Sequence, residues 1–292
     1  VLLALAVLLW IPEAGTLIYS WGAEESASHG PLVAPIAAWM LWTQRARLRR
    51  WNATCVPGAC LLACSALVYV ATVWADIEFA RPLALIMMAV GGVWFLGGPS
   101  NLVACTGALG FLVFMIPWPT TLVERISFPL QMMSATYAGL LAGLLGVPIH
   151  REGVNLYVVP DLYHAPTYSI VVAQACSGLN SLTVLLALSY LIAYFTPVRT
   201  GWKLLLIATV VPLTLLTNAV RLTLVLLAGA SHHREMATWI HDHEGPVLVF
   251  LCSLGLTALR HAILIWTQTD VDAAKDLAPA NAPSDDEPSP VA

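Results

Sequence analysis

The chain has 292 residues, of which 59% are hydrophobic and only 10% charged, against roughly 25% charged in an ordinary soluble domain. With a mean hydropathy of +0.78 it cannot cover a soluble globule of its size, and it reads as a polytopic membrane protein. The net charge of −4 is local: residues 268–292 hold six acids and one base, so the remainder is nearly neutral and offers no basic field for nucleic acid.

In chain order, the apolar run Val1–Leu9 has neither the basic flank nor the small-residue cleavage site of a signal peptide, and is read as part of a first span. Spans need about 17–25 apolar residues. The candidates are 1–18, 31–43, 55–74, 83–97, 101–117, 128–147, 178–196, 203–230 and 245–267. Arg45, Arg47, Arg49 and Arg50, and later Arg199 and Lys203, mark cytoplasmic loops by the positive-inside rule. Ser20–Gly30, 148–175 and Ser231–Glu244 then lie on the outer side. An odd number of crossings must separate Arg45–Arg50 from the 148–175 loop, yet four candidates intervene. One must be re-entrant or interfacial, and the suspects are 83–97 and the proline-broken 117–130. The expectation is therefore an all-α transmembrane bundle of about eight spans, residues 1–267, followed by a disordered acidic cytoplasmic tail, 268–292. Within 148–175, the β-branched and aromatic stretches Val154–Val159 and Tyr168–Val172 bracket Pro160 and Pro166 and predict a short hairpin.

The six cysteines form no CxxC pair and no zinc-finger spacing, so no disulfide framework is expected. Cys176 is set apart by its context, Gln174-Ala175-Cys176-Ser177-Gly178-Leu179-Asn180. Ser177 and Gly178 suit a helix start, and a thiol at a helix N-terminus gains thiolate character; the alternative is one more buried membrane cysteine. Arg221 interrupts the run Leu204–Ala230, which has no other charge. An ionisable group at mid-span costs at least about 2.5–3.5 kcal/mol, so it is a candidate functional group or else an arginine snorkelling to a headgroup. Asn218, three residues earlier, shares its helix face. His232, His233, His241 and His243 fall within twelve positions beside Asp242 and Glu244. That is a zinc-ligand composition, but His-x-His is not an i, i+4 pair and no HExxH occurs; a solvated polar loop is the plainer account. His29 is a lone histidine in the first outer loop. Topology brings Cys176, Arg221 and His241 toward one membrane level, where nucleophile, cation and base make a workable acyl-transfer site.

With these residues in view, the sequence resembles the exosortase/archaeosortase family of membrane cysteine transpeptidases over about residues 19–252. The resemblance rests on Ser28-His29-Gly30 and Trp42…Arg45, on Phe114-Met115-Ile116-Pro117-Trp118-Pro119, and on Ser127-Phe128-Pro129-Leu130-Gln131. It continues through Gly146-Val147-Pro148 and Arg151-Glu152-Gly153. Its core is Ala175-Cys176-Ser177-Gly178-Leu179, Asn218-Ala219-Val220-Arg221 and His241-Asp242-x-x-Gly245 with Phe250 following. It implies Cys176 as nucleophile, Arg221 as oxyanion or thiolate stabiliser and His241 as general acid/base, with Asn218, Ser177, Gly178 and Asp242 supporting and neither cofactor nor metal. Two positions depart from the family pattern, Gln174 for a glutamate and Asn180 for an arginine. The implied partners are exported proteins with a C-terminal sorting signal, made of a short motif such as Pro-Glu-Pro, a transmembrane helix and a basic end. Membrane lipid and a surface acceptor complete them, in the inner membrane and beside exopolysaccharide systems. The residues alone also permit a non-enzymatic membrane component, a transporter or exopolysaccharide-assembly subunit, or a metalloprotease using the histidine cluster.

Overall fold

A computed structural model describes residues 2–23, 27–48, 51, 54–159, 168–172, 178–231 and 234–276. Within these, 2–9, 234, 236–238, 240–246 and 269–276 are described by backbone alone. Among the described residues, nine α-helices and three short strands follow in order: α1 (Leu2–Ala23), α2 (Gly30–Gln44), α3 (Val56–Trp74), α4 (Ala80–Phe111), α5 (Thr120–Leu144), β1 (Ile149–Glu152), β2 (Asn155–Val158), β3 (Tyr168–Val171), α6 (Leu179–Phe195), α7 (Thr200–Ala208), α8 (Val210–Ala230) and α9 (Arg234–Asp276). Four stretches among the described residues are long and apolar enough to cross a bilayer: Val56–Trp74, Ala80–Met115, Thr200–Ala230 and Val247–Gln268. Their outward faces are apolar, with Leu67 71%, Val103 77% and Phe250 62% exposed, a surface suited to lipid and not to water.

Several helix limits have a simple backbone cause. Pro212 has no N–H to give Ala208, and its ring crowds that carbonyl; α7 accordingly stops at Ala208 and α8 starts afresh after Thr209. The predicted 203–230 span is thus two helices. Helix α4 contains a sharper break at Gly98, whose φ of 72° and ψ of −179° are open in practice only to glycine. Pro99 then starts the second limb with the φ a helix needs. The two limbs fold back on each other: Phe79 and Pro82, at the start, line the same cleft as Pro117, Trp118 and Pro119, beyond the end. A straight helix would hold these groups about 50 Å apart.

The reversal sets the directions of the neighbouring helices. Limb 80–97 packs antiparallel on α3, with Gly58 against the Phe95 backbone and Gly91 against that of Leu62, the close approach that small residues permit. Limb 99–111 runs antiparallel to α6, Gly107 facing Tyr194 and Gly110 facing Tyr190; the Tyr190 hydroxyl donates to the Gly107 carbonyl at 2.9 Å. Helix α5 runs parallel to α8, pairing Ser134 with Asn218 and Ala138 with Thr223. Since α6 and α8 are antiparallel, limb 99–111 and α5 point the same way. They follow each other in one direction, with a break at Pro117–Pro119. Of the two suspects, 83–97 lies in a limb packed along α3, and 117–119 is the break between limb 99–111 and α5.

The segment between α5 and α6 differs from the predicted hairpin by one strand among the described residues. β1, β2 and β3 form an antiparallel sheet in sequence order, with Ile149 paired to Val158 and Asn155 to Val171. Alternation in β2 sends Leu156 and Val158 inward. There they join Val172 and the α5–α8 residues Ala135, Ala138, Ala142, Leu222 and Leu226 in one core. The sheet thus caps the ends of α5 and α8, at the end of the bundle remote from Arg199 and Lys203. The predicted Ser231–Glu244 loop is also shorter: α9 already begins at Arg234 and continues to Asp276, past the expected boundary at 267.

Candidate functional site

The site is built on the start of α6 and the middle of α8. Gly178 is the N-cap of α6 and adopts φ 83°, ψ 3°, a left-handed conformation that side chains disfavour. Its open face lies on α8: a Cβ at Gly178 would stand 3.4 Å from Asn218 Cβ and Cγ and from Thr214 Cγ2. Asn218 is buried at 3% exposure, and its Nδ2 donates to Ser134 Oγ on α5 at 2.9 Å. Arg221 follows three residues later on the same face, half-buried. Gly178 therefore packs on α8 within a helical turn of the only basic residue in that helix.

Cys176 and Ser177 lie outside the described residues, as does Gln174. The residues on either side are placed: the Val172 amide donates to the Val154 carbonyl at 3.0 Å, and Gly178 rests on Asn218. Cys176 is therefore two residues from a fixed contact with α8. Asn180 is half-buried in the first turn of α6, where its carbonyl accepts from the Thr183 hydroxyl at 2.9 Å.

His241, Asp242 and His243 are placed by backbone only, on α9; His232 and His233 lie outside the described residues, so the zinc arrangement is not addressed by the described side chains. Helices α8 and α9 are antiparallel, with Cys252 Sγ 3.5 Å from Thr217 Oγ1 and Gly255 beside Leu213. Counting at 1.5 Å per residue from the Cys252–Thr217 contact, the His241 backbone stands about 10 Å further toward the sheet than that of Arg221. The Gly178 turn, Asn218 and Arg221 thus form one level, and His241 overlooks it. Pro246 lies between, in the interior of α9; it denies the Asp242 carbonyl its helical donor, which bends a helix at that point.

Other ionisable groups sit in or beside the apolar helices without having been singled out by the sequence reading. Glu13 is buried in α1 and accepts from the Tyr69 hydroxyl at 3.2 Å. Arg260 lies in the final span and its Nε donates to Thr196 Oγ1 at 3.1 Å. Neither approaches the Gly178 turn. His29 precedes α2, where burial lowers its pKa against a smaller, opposing hydrogen bond to the Phe114 backbone. Its Nδ1 is buried with no hydrogen-bond partner among the described residues. The five described cysteines are all free, and burial raises no separate claim for any of them as a nucleophile.

In general, a thiolate, a guanidinium and an imidazole brought together can activate a nucleophile and stabilise an oxyanion. Compared with known families, the chain matches a model described as a transmembrane exosortase over residues 21–259. No curated protein and no solved structure matches it.

Proposed function

Because the chain belongs to the transmembrane exosortase family, we propose that it is a membrane cysteine transpeptidase that cleaves a C-terminal sorting signal from exported proteins. The observation carrying this reading is the contact of the Gly178 turn with Asn218, within one turn of Arg221. It joins two of the three family motifs at one height.

In this reading the protein crosses the cytoplasmic membrane eight times, with the sheet end outside. His241 accepts the Cys176 proton, and the thiolate attacks the scissile carbonyl. Arg221 balances the charge that develops on the carbonyl oxygen, held in place by Asn218. As the tetrahedral species collapses, His241 returns its proton to the departing amine and a Cys176 thioester remains. The released fragment is a membrane helix and leaves sideways through lipid. An amine or hydroxyl of a surface acceptor then attacks the thioester, giving transfer; attack by water gives plain proteolysis.

The test is to trap the acyl-enzyme. Co-expression with a candidate exported protein, followed by rapid acid quench and mass spectrometry, should find a substrate fragment on Cys176 and on no other cysteine. Cleavage that persists in Cys176→Ala would overturn the reading. A non-enzymatic membrane component would give neither a thioester nor a cysteine more reactive than the other five.

A further inference from the structure

The cleft where the start of α4 meets Pro117–Pro119 shares no residue with the Gly178 turn and has no place in the mechanism so far. Its volume is about 430 Å³, within the range of small-ligand sites. One wall is a face of α1. Glu13, Thr16 and Ser20 line it, and their spacing of three and then four residues puts them on one helix face. Glu13 is only 6% exposed, and its Oε1 accepts from the Tyr69 hydroxyl at 3.2 Å. Tyr69 is five residues short of Trp74, where the α3 span ends, so this contact lies about 8 Å inside that end. A buried charge is costly unless paired. Among the described residues no base pairs with Glu13, and Arg81 forms its ion pair with Asp76 instead, at 2.6 Å.

The polar groups of the cleft are mostly acceptors. The Thr16 hydroxyl donates to the Pro12 carbonyl at 3.5 Å and that of Ser20 to the Thr16 carbonyl at 3.0 Å, so each has oxygen lone pairs left to offer and no proton. Asp76 and Glu78 are exposed on the α3–α4 turn and also line the cleft, as do the rings of Phe79 and Trp118. No Lys, Arg or His is among the lining residues. Three acids without a base attract a cation, acceptors in excess favour one that carries N–H groups, and aromatic faces favour an organic one. Among the described residues no three His, Cys, Asp or Glu converge as metal ligands, so these acids are too dispersed to enclose a metal ion. We propose that the cleft binds a primary ammonium presented at the membrane surface, with Glu13 as its counter-ion and the Thr16 and Ser20 hydroxyls as further acceptors. Trp74 and Trp118 are 89% and 44% exposed, as rings at headgroup level are, and an ammonium on a short stem spans the distance from there to Glu13. An ethanolamine-type lipid headgroup and a free alkylamine both present that chemistry. The inference goes beyond the transpeptidase reading and stands without it.

Melting midpoints of the full-length protein in detergent, titrated with matched probes, test this, because a ligand that binds the folded state raises the midpoint. Butylamine is compared with butyltrimethylammonium, and short-chain phosphatidylethanolamine with phosphatidylcholine of equal chain length; the second of each pair has no N–H. A rise with butylamine shows that a free amine enters the cleft, and a rise with phosphatidylethanolamine but not butylamine assigns it to the lipid headgroup. Either result supports the inference, provided the quaternary partner is inert. Glu13→Gln should then raise the half-saturating concentration of the active probe at least about tenfold, the loss of a charge-assisted bond. Tyr69→Phe loses the hydrogen bond to Glu13 but keeps the carboxylate, and should respond like the unaltered protein. If Glu13→Gln does not fold, Thr16→Val combined with Ser20→Ala decides, since removing two acceptors from an exposed and a half-buried position should also weaken the response. No rise with either amine, equal rises with the quaternary probes, or a response unchanged in these variants would overturn the inference.

Discussion

Gly178 meets Asn218 across the α6–α8 interface with its left-handed backbone turned so that a Cβ would touch the asparagine at 3.4 Å. That separation is ordinary van der Waals contact, so crowding contributes little to the cost of a side chain there. The φ of 83° contributes more, about 1–2 kcal/mol for a residue with a Cβ.

Gly178→Ala should therefore fold and insert, with a lower midpoint in a detergent melting curve. It should lose cleavage out of proportion to that shift, because relaxing φ moves the adjacent Cys176. Equal losses in melting and cleavage would mean that the turn is only structural.

Arg221→Lys keeps the charge but removes the planar fork, and the two side chains are not equivalent where geometry matters. The variant should accumulate in the membrane at normal levels and lose most processing. Near-normal cleavage of a co-expressed substrate would reduce Arg221 to an interfacial anchor.

His241 and His243 both stand on the continuous helix α9, so their side chains diverge by about 200° and only one can face the Gly178 turn. His241→Ala should abolish processing and slow Cys176 alkylation near neutral pH. His243→Ala should keep most activity. The reverse pattern, or joint loss of activity and bound zinc, would assign the base elsewhere.

For His29, burial lowers the pKa below its ordinary 6.5. The unfolded chain then binds the proton more tightly than the folded one, so the folded state loses stability as pH falls through and below 6.5. Melting temperature should decline from pH 7 to pH 5, and His29→Gln, which cannot titrate, should flatten that part of the curve. Parallel curves for the two proteins would remove His29 as the cause.

Long apolar runs made the helices legible in the sequence, and the β-branched stretches marked β2 and β3. Strand β1 was hidden because His150, Arg151 and Glu152 carry none of the β signal; it exists through pairing with β2. The break in α4 was legible, since the candidates 83–97 and 101–117 already part at Gly98 and Pro99; what composition cannot distinguish is a kink from a fold-back. Pro212 did carry a readable signal for the end of α7. Of the candidate site, Arg221 and Asn218 were visible as polar groups in an apolar run. Ser134 was not, since a serine among alanines has meaning only once α8 is packed against it.

The sheet has a consequence for the nucleophile beyond covering the bundle. Five residues, 173–177, connect Val172, hydrogen-bonded to Val154, to Gly178, seated on α8. So short a tether, about 20 Å at full stretch, makes the freedom of Cys176 depend on how firmly both posts stand. One post belongs to the sheet, whose hold on α5 and α8 runs through Leu156 and Val158 and through Tyr168 against Gly229. Loosening that hold removes one of the two placed neighbours that bracket the cysteine in the sequence. Local opening of the sheet and loss of thiol reactivity should then share one free energy, with the protection of the Val172 amide against hydrogen exchange as its gauge.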